Sequence, residues 1–96
     1  MVTELALITA LPGRADELGK AISEGIGFIR QHPGCLEVRV GRCVEDESRY
    51  VVEVDWTSLE AHTEDFRESP LFAQWIGTIA GLLDRSLLET RHYAPQ

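Results

Sequence analysis

Trp56-Thr57-Ser58-Leu59-Glu60-Ala61-His62-Thr63-Glu64-Asp65-Phe66-Arg67-Glu68-Ser69-Pro70-Leu71-Phe72 is the stretch on which the reading of the fold turns. Just before it, Tyr50, Val52, Val54 and Trp56 share one face of an alternating run, against Val51, Glu53 and Asp55, so Trp56 closes a strand. Thr57-x-x-Glu60 has the capping-box pattern and predicts a helix starting at about Ser58. Ser69-Pro70 is a second start, with Ser at the cap and Pro at the first helical position. The strand therefore leaves through a short helix, a break and a longer helix. In the longer helix Phe72, Trp75, Ile76, Ile79, Leu82 and Leu83 recur as an apolar stripe. This region gathers both Trp residues, two of the three Phe and one of the three His.

Upstream, Leu36, Val38 and Val40 alternate with Glu37, Arg39 and Gly41, and the acidic turn Glu45-Asp46-Glu47-Ser48 joins this run to the next as a hairpin. Before it, Leu18, Ile22, Ile26 and Ile29 recur at helical spacing, with Asp16 and Glu17 in the first turn, where the helix dipole favours acids. Pro33-Gly34 ends that helix. Val2 to Thr9 reads as a strand apolar on both faces, with Val2, Ala6 and Ile8 on one side and Leu5 and Leu7 on the other. Downstream, Ser86 to Tyr93 is the last strand. The order β-α-β-β-α-α-β, with short right-handed connections, predicts an α+β fold, the ferredoxin-like split β-α-β sandwich. Its helices cover one sheet face. The other keeps Leu5, Leu7 and Val51, which sheet-to-sheet pairing of two chains would bury.

Ninety-six residues make one domain, spanning 1–96, with a small core. The chain is 44% hydrophobic and 26% charged, an ordinary globular composition. Its net charge of -7 offers no basic stripe to neutralise phosphates, so no nucleic-acid partner and no anionic membrane surface is expected. No apolar run approaches the ~20 residues of a membrane span. The start carries Glu4 and no Lys or Arg, unlike a signal peptide, so a cytoplasmic location is expected. Cys35 and Cys43, eight residues apart on one strand, would stand roughly 26 Å from each other and read as two reduced thiols. Neither a zinc site nor a phosphate loop is present, and the acidic turn lacks EF-hand spacing.

The element order, the size, His32-Pro33-Gly34-Cys35 at the helix-to-strand turn, and Trp56-x-Ser58-x-Glu60-Ala61 followed by Ser69-Pro70-x-Phe72 resemble the antibiotic biosynthesis monooxygenase (ABM) domain family of the dimeric α+β barrel superfamily. The resemblance covers nearly the whole chain. It implies a homodimer through the sheet face, a pocket between helices and sheet, and a cofactor-independent monooxygenase acting on a phenolic, quinol or polyketide-type aromatic molecule. The family also includes haem-degrading enzymes and many members with no known activity, so the alternative expectation is a non-catalytic dimeric module that binds a small ligand or serves in stress. Two departures stand out. Asp65 occupies the position where many members carry a His, with His62 three residues earlier, and the interval from Ala61 to Ser69 is one residue longer than usual. The haem-degrading branch uses an Asn where Ala6 aligns and a His where Ile76 aligns, so haem lacks an axial ligand here.

Oxygenation without a cofactor requires an apolar cavity, a proton acceptor and a group that steadies the developing anion. His62 lies at helical spacing from Phe66 and Leu59, an apolar stripe. It is the candidate general base or substrate hydrogen-bonder, against the alternative of a core-edge His satisfied by a neighbour. Phe28, Trp56, Phe66, Phe72, Trp75 and Ile76 are the candidate pocket walls, against simple core packing. His92 reads as a strand-end or interface residue, His32 as a solvated turn residue, and Arg67 as a surface partner of Glu64 or Glu68. No cofactor and no metal are expected.

Overall fold

In the computed structural model, which describes residues 1–96, the chain forms β1 (Val2–Thr9), α1 (Ala15–Arg30), β2 (Cys35–Arg42) and β3 (Arg49–Trp56). A π-helical segment (Ala61–Phe66), α2 (Pro70–Ile79), a 3-10 turn (Arg85–Leu87) and β4 (Glu89–Tyr93) follow. The sheet order is β2-β3-β1-β4 and every neighbouring pair is antiparallel. Each helical connection hops over one strand: α1 carries the chain past β3, and α2 carries it past β1. This is the ferredoxin-like α+β fold expected from the periodicity. None of its helices is long and apolar enough to cross a membrane.

The alternation of β3 decides which face is inside. Tyr50, Val52, Val54 and Trp56 are buried, while Val51, Glu53 and Asp55 are half-exposed on the outer face. Against the buried face α1 lays Leu18, Ile22, Ile26 and Ile29, all in the core, and α2 lays Trp75 and Ile79. Each such aliphatic side chain contributes roughly 1.5–3 kcal/mol on leaving water. The two helices approach closely at Gly25, where a Cβ would stand 2.9 Å from the Trp75 ring.

Several expectations change. The strand β1 is not apolar on both faces: Glu4 shares the helix-covered face with Ala6 and Ile8 and is itself buried. A β-bulge between Cys35 and Glu37 leaves Leu36 out of the ladder, and Leu36 is 58% exposed instead of sharing the face of Val38. The short helix is π-helical, and Leu59 lies exposed beside it. It is Ser58, not Thr57, that receives the Ala61 N–H, at 3.1 Å. The wider π turn, closed by Arg67 N–H to the His62 carbonyl at 3.3 Å, absorbs the additional residue between Ala61 and Ser69. The longer helix ends at Ile79, so Leu82 and Leu83 lie beyond it, with Leu83 bridging Ala10. The final strand begins at Glu89, after the 3-10 turn, rather than at Ser86.

Candidate functional site

Between the covered sheet face and the helices lies a cavity of about 100 Å³. Four aromatic rings stand in its wall among aliphatic side chains. Trp56 ends β3, Phe66 ends the π segment, and Phe72 and Trp75 come from one face of α2. The rings pack edge to face or tilted, with Trp56 and Phe66 5.1 Å apart and Phe66 and Phe72 5.6 Å apart. Ile76 also lines the cavity. Phe28 does not. On α1 it is Ile29 that reaches the cavity, and a residue one position away on a helix points about 100° elsewhere. Phe28 instead packs half-buried against the core.

His62 reaches the cavity from the π segment and is 4% exposed. Its ring stacks on Trp56, with centroids 5.1 Å apart and planes 17° from parallel. Nδ1 lies 2.7 Å from His92 Nε2, and Nε2 lies 3.4 Å from Glu4 Oε1. Burial, then the positive charge of Arg67, then His92 push the His62 pKa down to about 4, so the ring is neutral at physiological pH. With His62 neutral, the 3.4 Å approach to Glu4 is a polar contact and not an ion pair. One imidazole donates to the other across the 2.7 Å contact, in the direction that their tautomers set.

Glu4 accepts a 2.9 Å hydrogen bond from Trp56 Nε1–H through the same oxygen, Oε1. Burial raises its pKa, which the Trp56 hydrogen bond and the Arg67 charge partly reverse. The sheet register explains the cluster, because Glu4 stands opposite His92 on β4 and opposite Val54 on β3, with Trp56 two residues further along. Burial also lowers the His92 pKa, as does Arg67.

Three residues carry more of the site than their sequence context indicates. Glu4 had one available signal: it is a carboxylate in register with Val2, Ala6 and Ile8. His92 is not merely a strand-end residue, since it closes the imidazole pair. Arg67 makes no salt bridge with Glu64 or Glu68 and lines the cavity instead, because the π turn directs it there. His32 is half-buried rather than freely solvated. Its Nδ1 accepts the Gly34 N–H at 3.0 Å, and its ring packs edge-on to Trp56 and Phe66 at 5.9 and 5.7 Å, backing the aromatic wall. Arg39 and Arg91 lie on the outer sheet face, paired with Glu37 and Glu53 and with Glu89.

The profile of the family described as "Antibiotic biosynthesis monooxygenase" matches residues 1–78. The uncharacterized protein YczJ of Bacillus subtilis (strain 168) is 31% identical over 75 residues, which cover 78% of this chain and 79% of that protein. Among solved structures, a candidate antibiotic biosynthesis monooxygenase from Bordetella bronchiseptica superposes with a TM-score of 0.91 at 25% identity, covering 99% of this chain and 96% of the other. SnoaB, a cofactor-independent oxygenase from Streptomyces nogalater, superposes with a TM-score of 0.82 at 19% identity, covering 99% and 92%, a likeness of fold alone. On its sequence match and its fold together, the chain belongs to the antibiotic biosynthesis monooxygenase family.

Proposed function

We propose that the protein is a cofactor-independent monooxygenase that oxidises a phenolic or quinol-type aromatic molecule with O₂. The observation that carries this reading is a buried carboxylate–imidazole–imidazole line at the edge of an aromatic-walled cavity. Such a cavity holds an electron-rich ring, and the Glu4–His62 pair supplies the acid–base centre the reaction needs. The ring anion is itself the reductant. It gives electrons to O₂, a C–O bond forms, and the O–O bond then breaks as hydrogen leaves that carbon. The balance is substrate plus O₂ giving a quinone and one water, with no other electron donor. Arg67, the one cationic side chain on the cavity wall, is suited to steady the phenolate and the peroxide anion.

The outer sheet face supports a homodimer. Leu5, Leu7 and Val51 form a half-exposed apolar centre there, a face that a second copy would cover.

A specific observation favours a second reading, a non-catalytic module that binds a small apolar molecule. The cavity is smaller than the roughly 300–1,000 Å³ of usual ligand sites. A multi-ring substrate enters only if the half-exposed Phe72 and Ile76 move. A haem role is the least supported, because Ala6 and Ile76, both on the cavity wall, offer no ligand atom.

Oxygen uptake by the purified protein, with a panel of anthrones, dihydroxynaphthalenes and quinols and no added cofactor, tests the reading. Protein-dependent uptake that falls in His62→Ala supports it. Absence of uptake across the panel, with binding of the same compounds seen by tryptophan fluorescence, selects the ligand-binding module.

A further inference from the structure

The acid–base centre divides into one group that can reach a substrate and two that cannot. Both ring nitrogens of His62 are engaged, Nδ1 with His92 and Nε2 with Glu4, and one ring face is covered by Trp56. His62 is thereby crowded at both nitrogens and on one ring face. In Glu4 both protein contacts fall on Oε1. Oε2 has no hydrogen-bond partner, yet the only partnerless side-chain polar atom sealed inside the protein is Thr9 Oγ1. Oε2 therefore faces open space, and the space that Glu4 lines is the cavity.

We propose that Glu4, through Oε2, takes the substrate proton and returns it, and that His62 and His92 are positioning residues acting through Glu4. The inference rests on the oxygenase reading and assigns its acid–base step. The O–H bond of the phenol breaks and its proton moves to Oε2. After the ring anion has combined with O₂, the same proton moves to the outer peroxide oxygen. That oxygen leaves as hydroxide when the O–O bond breaks and combines with the hydrogen released from carbon, giving the one water. No proton is lost to solvent, so the line needs no net outflow. Trp56 Nε1–H holds Oε1 in place while Oε2 works, with the His62 ring close to the same oxygen and His92 hydrogen-bonded behind it.

The charged and titratable groups around Glu4 are few. His62 and Arg67 come from the segment after β3, His92 comes from β4, and the Cys35 thiol comes from β2, close enough for the Glu4 charge to raise its pKa. The two helices bring only apolar side chains to the cavity: Ile29 from α1, and Phe72, Trp75, Ile76 and Ile79 from α2.

Glu4→Gln keeps the shape and an oxygen for Trp56 but cannot take a proton, whereas His62→Phe keeps the stacking on Trp56 and removes both nitrogens. Oxygen uptake is expected to fall by ~10²-fold or more in kcat for Glu4→Gln, with KM little changed. His62→Phe should lower kcat as well, but by less than Glu4→Gln and with KM little changed, because it removes a positioning contact and leaves the proton acceptor in place. The second readout does not require turnover. The Glu4 carboxyl carbon, assigned by its absence in Glu4→Gln, is titrated by ¹³C NMR with and without para-nitrophenol, a phenol that resists oxidation. It should respond to the phenol, with folding of both variants checked by circular dichroism. Full turnover in Glu4→Gln, a Glu4 signal indifferent to the phenol, or a loss in His62→Phe as large as in Glu4→Gln would overturn the assignment. Failure of the oxygenase reading alone would leave the carboxyl response intact while abolishing uptake in the parent protein.

Discussion

Trp56 shows what one side chain can do in this fold. It ends a strand, walls the cavity, stacks on His62 and donates to Glu4. Trp56→Phe keeps most of the packing and deletes the donor. A loss of about 1–3 kcal/mol is expected in urea unfolding, together with a further rise of the Glu4 pKa. The buried imidazole has its own signature in pH. The folded His62 pKa, at about 4, is depressed below the ordinary 6.5, so folding excludes a proton that the unfolded chain accepts. Its contribution is fully present above about pH 6.5 and is lost as pH falls toward 4, amounting to roughly 3 kcal/mol over that window. Glu4 acts in the opposite sense. Its raised pKa favours the protonated folded state, a contribution present below 4.5 that fades as pH rises through the folded value. Stability is thus expected to fall between pH 6.5 and 4, with the depressed His92 adding to the fall and Glu4 opposing it. Urea titrations at both ends should show the slope flattening in His62→Phe. That His62 faces inward was legible from its spacing to Phe66. Glu4's place was written in the alternation of β1 but obscured by the apolar residues on either side of it.

At the scale of elements, the contact between α1 and α2 depends on a missing side chain. A Cβ at Gly25 would stand 2.9 Å from Trp75 Cε3, whereas one at Gly27 would meet nothing within 4 Å. Gly25→Ala is expected to destabilise by about 1–3 kcal/mol through overpacking, less the helix propensity gained. Gly27→Ala, two residues along the same helix, should stabilise by up to about 1 kcal/mol. Thermal unfolding of the pair separates packing from propensity, and equal shifts for both would refute the close approach. Helix and strand identities could be read from period alone: 3.6 for Leu18, Ile22, Ile26 and Ile29, and 2 for Tyr50, Val52, Val54 and Trp56. The π turn could not. Its hydrogen bonds differ from those of an α-helix by one residue of reach, and the choice depends on how Phe66 and His62 settle against Trp56 and Glu4. The bulge that expels Leu36 is likewise a property of strand pairing, not of β2 itself.

At the scale of the whole molecule, the proposed dimer rests on the outer sheet face. Leu7→Asp puts a charge at the centre of that face while leaving the core side of β1 untouched. Sedimentation is expected to give the mass of two chains for the parent protein and of one for the variant. A parent protein that sediments as one chain would remove the dimer. The sequence by itself determined the order of elements, the face of each that is buried and the aromatic character of the cavity wall. Those follow from local periodicity, cap residues and the hydrophobic effect, which act over a few positions along the chain. Only the tertiary structure decided that Glu4, Trp56, His62 and His92 form one contiguous polar cluster, with Arg67 beside it and Phe28 excluded. Glu4 and His92 meet because β1 and β4 pair in that register, although they stand 88 positions apart in the chain. Side chains so far apart in sequence become neighbours through strand pairing and helix packing, which no local pattern encodes.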